Sequence, residues 1–332
     1  MLPIFRFEQR ATLLRELATM LKAGVPLGEA LHALETRPAH PQLRAAMAAG
    51  AKHVAAGGRL SEVLGKYPAE FPPLSTAVVA MGEQTGRLDQ ALDRVAGYLE
   101  REYEIRQLVS RETFYPKVIL AFCILIPAAT PALIEMLMGS FWHGVWIFVR
   151  SLLGWALGVG IPLGLGYVVY REVAKTRAGR ESLDSLKLAI PLLGPVVRRL
   201  ALAKFARGLA YTYSAGVPMA EAVALAASVT GNSVLERRFA AAVPLVRQGY
   251  KLSEVIAKLP GVEDMTLRML QTGEQTGSLD ATMERVAEHY ETAATTSIHH
   301  MAVMALPLGV IFCGIIVGFM VVNFYVGYYS GF

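Results

Sequence analysis

The 332-residue sequence predicts an all-α, polytopic membrane protein with two duplicated cytoplasmic helical bundles, about six helices each, and three transmembrane helices. Three observations lead there. Hydrophobic residues make up 54% of the chain and charged residues only 18%, a balance too apolar for an ordinary soluble protein of this length. Three apolar runs reach the roughly 20 residues that a membrane-crossing helix needs. And long stretches outside those runs are spelled twice.

The duplication sets the plan. GEQTGRLDQALDRVA, from Gly82, returns as GEQTGSLDATMERVA, from Gly273, with identity at 10 of 15 positions. RELATMLKAGVPLGEAL (Arg15 to Leu31) returns as RGLAYTYSAGVPMAEAV (Arg207 to Val223), and RLSEVLGKYP (Arg59 to Pro68) as KLSEVIAKLP (Lys251 to Pro260). The spacing is 192 residues from Arg15 to Arg207 and 191 from Gly82 to Gly273, so one residue is lost just before the second phrase. A period this long is a duplicated domain, not a solenoid repeat.

Within each copy the elements follow in order. Leu13, Leu14, Leu17, Met20 and Leu21 share one face of a first helix. Gly24 supplies its stop, and Pro26 suits the first turn of the next helix, so AGVP is a tight corner; Gly216 and Pro218 repeat it. The second helix buries Leu27, Ala30, Leu31 and Leu34. Helices follow around His40 to Ala56, Leu60 to Lys66 and Pro73 to Met81. A long last helix begins near Leu88, with Leu88, Leu92, Val95 and Leu99 as its apolar stripe. GEQTG then joins the last two helices. Gly82 and Gly86, and their counterparts Gly273 and Gly277, would adopt dihedrals that other residues avoid. Asp89 and Asp280 fall in the first turn of the last helix, where a carboxylate meets the positive helix end. Two compatible readings of these corners stand: a capped turn whose acids satisfy helix-end amides, or a surface for a partner, a second copy or a cation, carried by Glu83, Gln84, Asp89, Glu274, Gln275 and Asp280.

The apolar runs are Val118 to Met138, Leu152 to Tyr170 and Met304 to Val326. Arg101, Arg106, Arg111 and Lys117 precede the first, and Arg171, Lys175, Arg177 and Arg180 follow the second. By the positive-inside rule both bundles face the cytoplasm. The predicted boundaries are residues 1–115 for the first bundle, 116–138 for the first span, 139–151 for an outward-facing linker and 152–170 for the second span. Residues 171–303 form the second bundle with its basic linker, 304–326 the third span and 327–332 an outward-facing tail. The N-terminus is then cytoplasmic; Glu8 and Glu16 interrupt any apolar core there, and no cleavable leader is expected. Gly154 and Gly158, Gly160 and Gly164, and Gly314 and Gly318 each stand four apart. That spacing lets helix backbones approach closely, and glycine is also simply common in spanning helices. Glu135 and Arg150 either pair or reach to their own interfaces; Asn323 is the other clear polar group.

Reactive chemistry is missing. GRLSEVLGKYP lacks the first glycine and the hydroxyl of a phosphate-binding loop, and His299 and His300, adjacent on a helix, point about 100° apart and make a poor chelate. No aromatic-interleaved basic stripe suggests nucleic acid. No enzyme and no cofactor are expected. A channel or transporter subunit driven by a separate ATPase is the alternative class, but it needs a polar path that the spans do not supply. A membrane-anchored signalling scaffold is disfavoured by the doubled motifs.

The MLKAGVPLGEAL and GEQTGRLD corners, both duplicated, with one span after each copy, resemble the type II secretion F / type IV pilus PilC family of inner-membrane platform proteins. The short approach to the LLREL helix is similar to the shorter platform proteins of type IVb pilus systems. The resemblance implies a multi-pass protein of the bacterial inner membrane with a periplasmic C-terminus. It implies a hexameric assembly ATPase docked on the cytoplasmic bundles, and pilin or pseudopilin lifted from the membrane into a filament. Other inner-membrane alignment-complex proteins and further copies of the chain are implied partners, as is a bound calcium ion in the cytoplasmic domains.

Overall fold

A computed structural model of the protein describes residues 3–35, 40–112, 114–137, 139, 141–191, 193–258 and 262–330, some helical residues by their backbone alone. All regular structure among them is helical. The first copy contains α1 (Pro3–Lys22), α2 (Leu27–Leu34), α3 (Pro41–Ala55), α4 (Leu60–Leu64), α5 (Pro73–Thr85) and α6 (Leu88–Glu112). Two apolar helices follow, α7 (Phe114–Leu137) and α8 (Phe141–Val173), then α9 (Arg177–Ala189). The second copy contains α10 (Leu193–Ser214), α11 (Met219–Ser228), α12 (Ser233–Ala240), α13 (Val243–Arg247), α14 (Leu252–Ile256), α15 (Asp264–Thr276) and α16 (Leu279–Ser330).

The chain divides into two compact units. One is Met1–Leu108 with Asp184–Thr295, and so holds both copies; the other is Val109–Leu183 with Thr296–Phe332. In the first unit each copy has its own core. Leu14, Leu17, Leu31, Leu43, Met47, Leu60, Leu74 and Leu92 are buried together in the first. Leu209, Leu252, Leu270 and Tyr290 are buried in the second, where Phe205 stacks on Phe239 with ring centroids 4.1 Å apart. At about 25 cal/mol per Å2 of apolar surface removed from water, such leucine clusters are the main favourable term.

The copies differ at one helix. Where the first has α3, the second has α12 and α13. Pro244 carries no N–H, and in a continuous helix its ring would crowd the carbonyl of Ala240, the residue at which α12 stops. Among the described residues the second bundle therefore has one helix more than its counterpart. At the N-terminus of α12, Asn232 accepts hydrogen bonds from the amides of Val234 (3.1 Å) and Leu235 (3.2 Å), a side-chain cap.

Asp184 on α9 ties that helix to α12. One carboxylate oxygen accepts from the Ser233 amide at 2.9 Å and hydroxyl at 2.8 Å; the other meets Lys187 at 2.8 Å. Burial opposes ionisation here, but the Lys187 and Ser233 contacts outweigh it and hold the carboxyl below its usual range. A depressed carboxyl contributes stability that is fully present above its unfolded pKa, about 3.9, and is lost as the pH falls through the folded value. Asp184→Asn should therefore lower the thermal midpoint of the detergent-solubilised chain at pH 7, and the gap to wild type should narrow below about pH 4. A gap that stays constant down to pH 3 would refute the linkage.

In the second unit α7 packs along α8 as a helical hairpin. The turn is shorter than the sequence predicts: α8 opens at Phe141, so most of the expected linker is helix, and Gly139, with φ of +98°, sits in the connection. Gly144 makes a close approach, since a Cβ there would lie 2.5 Å from Met136 Cγ and 2.9 Å from the Ala132 carbonyl oxygen. Among the described residues, a Cβ built on Gly154, Gly158, Gly160, Gly164, Gly314 or Gly318 meets nothing within 4 Å. Leu133, Trp142, Trp146, Leu165, Ile315 and Phe319 are among the large apolar side chains exposed on α7, α8 and α16. Among the described residues one helix is long and apolar enough to cross a membrane, within α16 over Leu279–Phe319. The side chains of Glu135 and Asn323 lie outside the described residues.

Candidate functional site

The first corner, AGVP, is built by hydrogen bonds that end one helix and aim the next. The Val25 amide reaches back to the Met20 carbonyl at 3.0 Å, and Gly24 takes a φ of +86°; in the second copy Val217 bonds to Thr212 at 3.0 Å and Gly216 has a φ of +83°. This is a helix C-terminal cap that needs a left-handed residue, which glycine supplies without strain. Pro26 and Pro218 stand one place earlier than the sequence predicts, as the residues just before α2 and α11.

The second corner differs from the expectation in one respect. α5 and α15 run on through GEQT, so only Gly86 and Gly277, at φ +69° and +70°, turn the chain. Gly82 and Gly273 are ordinary helical residues and are small for a different reason. A Cβ on Gly82 would sit 2.3 Å from Ala91 Cβ, and one on Gly273 would sit 2.1 Å from Thr282 Oγ1. The last helix crosses its predecessor at these positions, and there is no room for a methyl group.

Glu83 and Glu274 reach away from that crossing. The Glu83 carboxylate accepts from the amides of Leu60 (2.6 Å) and Ser61 (3.3 Å) and from the Ser61 hydroxyl (2.5 Å). Glu274 repeats this with Leu252 (2.6 Å), Ser253 (3.3 Å) and the Ser253 hydroxyl. Each glutamate thus caps the short helix α4 or α14, satisfying amides that have no partner inside the helix. Two of the duplicated phrases, RLSEV and GEQTG, are one device. Their joint recurrence in both copies was the available signal for that pairing. Gln84 and Gln275 are exposed one residue further on, and Asp89 and Asp280 are half-buried in the first turns of α6 and α16. Among the described residues no group of three or more His, Cys, Asp or Glu side chains gathers in a way that could hold a metal ion.

The sequence reading overlooked an ionic seam between the copies. Arg15 on α1 pairs with Asp93 at 2.5 Å and with Glu100 on α6; Arg207, its counterpart on α10, pairs with Glu291 at 2.8 Å and with Glu284. The acids are seven apart in both copies, a spacing that shares one helix face. The environments diverge. α5 of the first copy packs on α10 and α11 of the second. Tyr98 meets Tyr211 edge-on, centroids 5.8 Å apart. Lys204 reaches Glu102 at 2.9 Å, and Arg101 reaches Glu291 at 2.8 Å, so Glu291 is shared by an arginine from each copy. The seam buries the Arg207 side chain to 7% exposure and Glu291 to 6%, while Arg15 stays 40% exposed. Burial resists the Arg207 charge, but the attraction of Glu291 outweighs it and raises the pKa. Arg94, on the copy-one side, donates to the Ser214 carbonyl at the end of α10.

This arrangement holds helices together and leaves polar corners on its surface. Two halves with matched caps and matched arginine clusters are what a twofold family match would require. The family model for type II secretion system (T2SS) protein F matches residues 13–134 and again residues 205–327. The chain belongs to the type II secretion system protein F family. One T2SS protein F relative, from Pseudomonas aeruginosa, is 29% identical over 327 residues, covering 92% of this chain and 78% of its own length. The chain is also similar to the type IV pilus assembly protein PilC of Thermus thermophilus, 33% identical over 323 residues that cover 94% of this chain and 79% of the relative. PilC of Pseudomonas aeruginosa is 28% identical over 323 residues, covering 94% and 86%. Within the protein F family frame, the first match contains α2 to α6 and the second contains α11 to α15.

Proposed function

We propose that this chain is the inner-membrane platform of a type IV pilus or type II secretion machine, coupling a cytoplasmic hexameric ATPase to polymerisation of pilin or pseudopilin. The observation that carries the reading is the family match in both halves, joined to relatives whose names are type IV pilus assembly protein and type II secretion system protein F. In this reading the runs Val118 to Met138, Leu152 to Tyr170 and Met304 to Val326 span the membrane, the two duplicated bundles face the cytoplasm and the C-terminus is periplasmic. The large apolar side chains exposed on α7, α8 and α16 support lipid contact, because water would penalise them. The chain performs no bond chemistry of its own. It transmits motion through α16, one helix of 52 residues that begins at the GEQTG corner.

The exposed corner residues Gln84 and Gln275 are the proposed partner surface, with Glu83, Asp89, Glu274 and Asp280 behind them. Since Glu83 and Glu274 also cap helices, the cleaner probe of docking is the double variant Gln84→Arg/Gln275→Arg. Tagged chain, solubilised gently from its own cells, should elute with an assembly ATPase and a prepilin. The double variant should lose the ATPase while keeping its thermal midpoint. Undiminished ATPase in the variant would move the docking surface elsewhere. Normal filament and secretion output in a deletion strain would overturn the platform reading itself.

A further inference from the structure

The seam between the copies carries an open cleft of about 500 Å3, where the GEQTG corner of the first copy meets the AGVP corner of the second. Its walls include Thr85, Arg87, Gln90 and Arg94 from the first copy and Ala215 and Gly216 from the second. Among the described residues, none that lines it is acidic. Gln90 and Arg94 stand four apart on α6 and share one face of it, and Arg87 is the residue just before that helix, its carbonyl accepting from the Ala91 amide at 3.0 Å. Arg94 is pinned to the Ser214 carbonyl and keeps further donors free. The Arg87 guanidinium and the Gln90 amide have no side-chain partner among the described residues.

The duplication supplies an internal control. The positions that match Arg87 and Gln90 are Ser278 and Ala281, and Ser278 is already paired with Thr276 at 2.6 Å. Arg94 is matched by Arg285, so Arg87 and Gln90 are what set apart the corner that lies on the seam. We infer that this cleft binds an acidic segment of a protein partner, its carboxylates seated on Arg87 and Arg94 with Gln90 between them. The charge of the walls selects an anion. Guanidinium groups match carboxylates through paired hydrogen bonds. Arg87 and Arg94 lie seven residues apart at the start of α6 and present two separate guanidinium groups, which suits two carboxylates on one face of an extended chain better than one phosphate. Among the described residues the cleft has no aromatic wall of the kind that encloses a small molecule. The inference rests on the reading of the chain as a holder of protein partners and names where one of them is gripped.

The test uses the full chain in detergent at low salt and a fluorescein-labelled decapeptide of alternating Glu and Ser, followed by fluorescence anisotropy. Arg87→Glu should weaken binding about tenfold or more, the scale of a lost charge-assisted hydrogen bond. Gln90→Glu should weaken it too. Arg238→Glu, a matched charge reversal at an exposed site on α12, should leave it unchanged. Equal loss in Arg87→Glu and Arg238→Glu, or no loss in either Arg87→Glu or Gln90→Glu, overturns the inference. So does tighter binding of pyrophosphate than of the peptide with the same dependence on Arg87, which would make this a phosphate site. Should Arg87→Glu lower the thermal midpoint, binding by Gln90→Glu alone decides between the cleft and its absence. These outcomes are independent of filament output in a deletion strain, so failure of the cleft and failure of the platform reading are told apart.

Discussion

Arg207→Ala in the full chain should cost up to about 3–5 kcal/mol of stability, because it leaves the buried Glu291 with only the half-exposed Arg101 as its cationic partner. Arg15→Ala, at the matching position of the first copy, should cost about 1 kcal/mol or less, as an exposed ion pair does. The two arginines hold equivalent acids, Asp93 and Glu100 in one case and Glu284 and Glu291 in the other. Only their surroundings differ: 40% exposure for Arg15 against 7% for Arg207. Arg101 softens the loss by retaining its own contact with Glu291 at 2.8 Å. The comparison is made by thermal unfolding of the two variants in the same detergent. Equal shifts would mean that burial at the seam does not govern the energetics of this cluster.

The second large effect is expected at the glutamates of the two GEQTG phrases. Glu83→Ala removes the acceptor for two amides and a hydroxyl, and Glu274→Ala does the same in the second copy. Each should cost about 1–3 kcal/mol, the penalty for leaving such groups unsatisfied. The accompanying glutamine variants, which keep one carbonyl acceptor, should cost less. A local readout separates this from general loosening: hydrogen exchange at Leu60 and Ser61 should accelerate in Glu83→Ala, while exchange at Leu252 and Ser253 stays near wild type. Unchanged protection at Leu60 and Ser61 would show that the carboxylate is not their partner. The consequence reaches the functional question. A charge reversal at Glu83 or Glu274 would disturb a helix start as well as any docking surface, so loss of a partner in such a variant would not identify the surface.

Much of the architecture was legible from local pattern. The apolar faces of α1 and α2, the start of α6 at Leu88 and the turns at Gly24 and Gly86 follow from periodicity and from backbone angles that glycine alone tolerates well. The corners, spelled twice, also placed the chain in its family. The extent of α5 was less legible, because GEQT continues a helix or leaves one with equal local ease. The packing of the last helix against it is what selects the longer helix.

The sequence by itself determined that the chain is helical, that its motifs are spelled twice, and that those motifs turn helix into helix. The tertiary structure decided what each motif residue does. Gly82 is small because Ala91 lies against it, and Glu83 is a cap because Leu60 and Ser61, more than 20 residues back, end at its carboxylate. Arg15 and Arg207 occupy matching positions and have different environments because the seam covers only one of them. The physical reason is range. Helix propensity, periodicity and glycine turns are written within a few residues, whereas burial and charge pairing depend on which faces of distant helices meet.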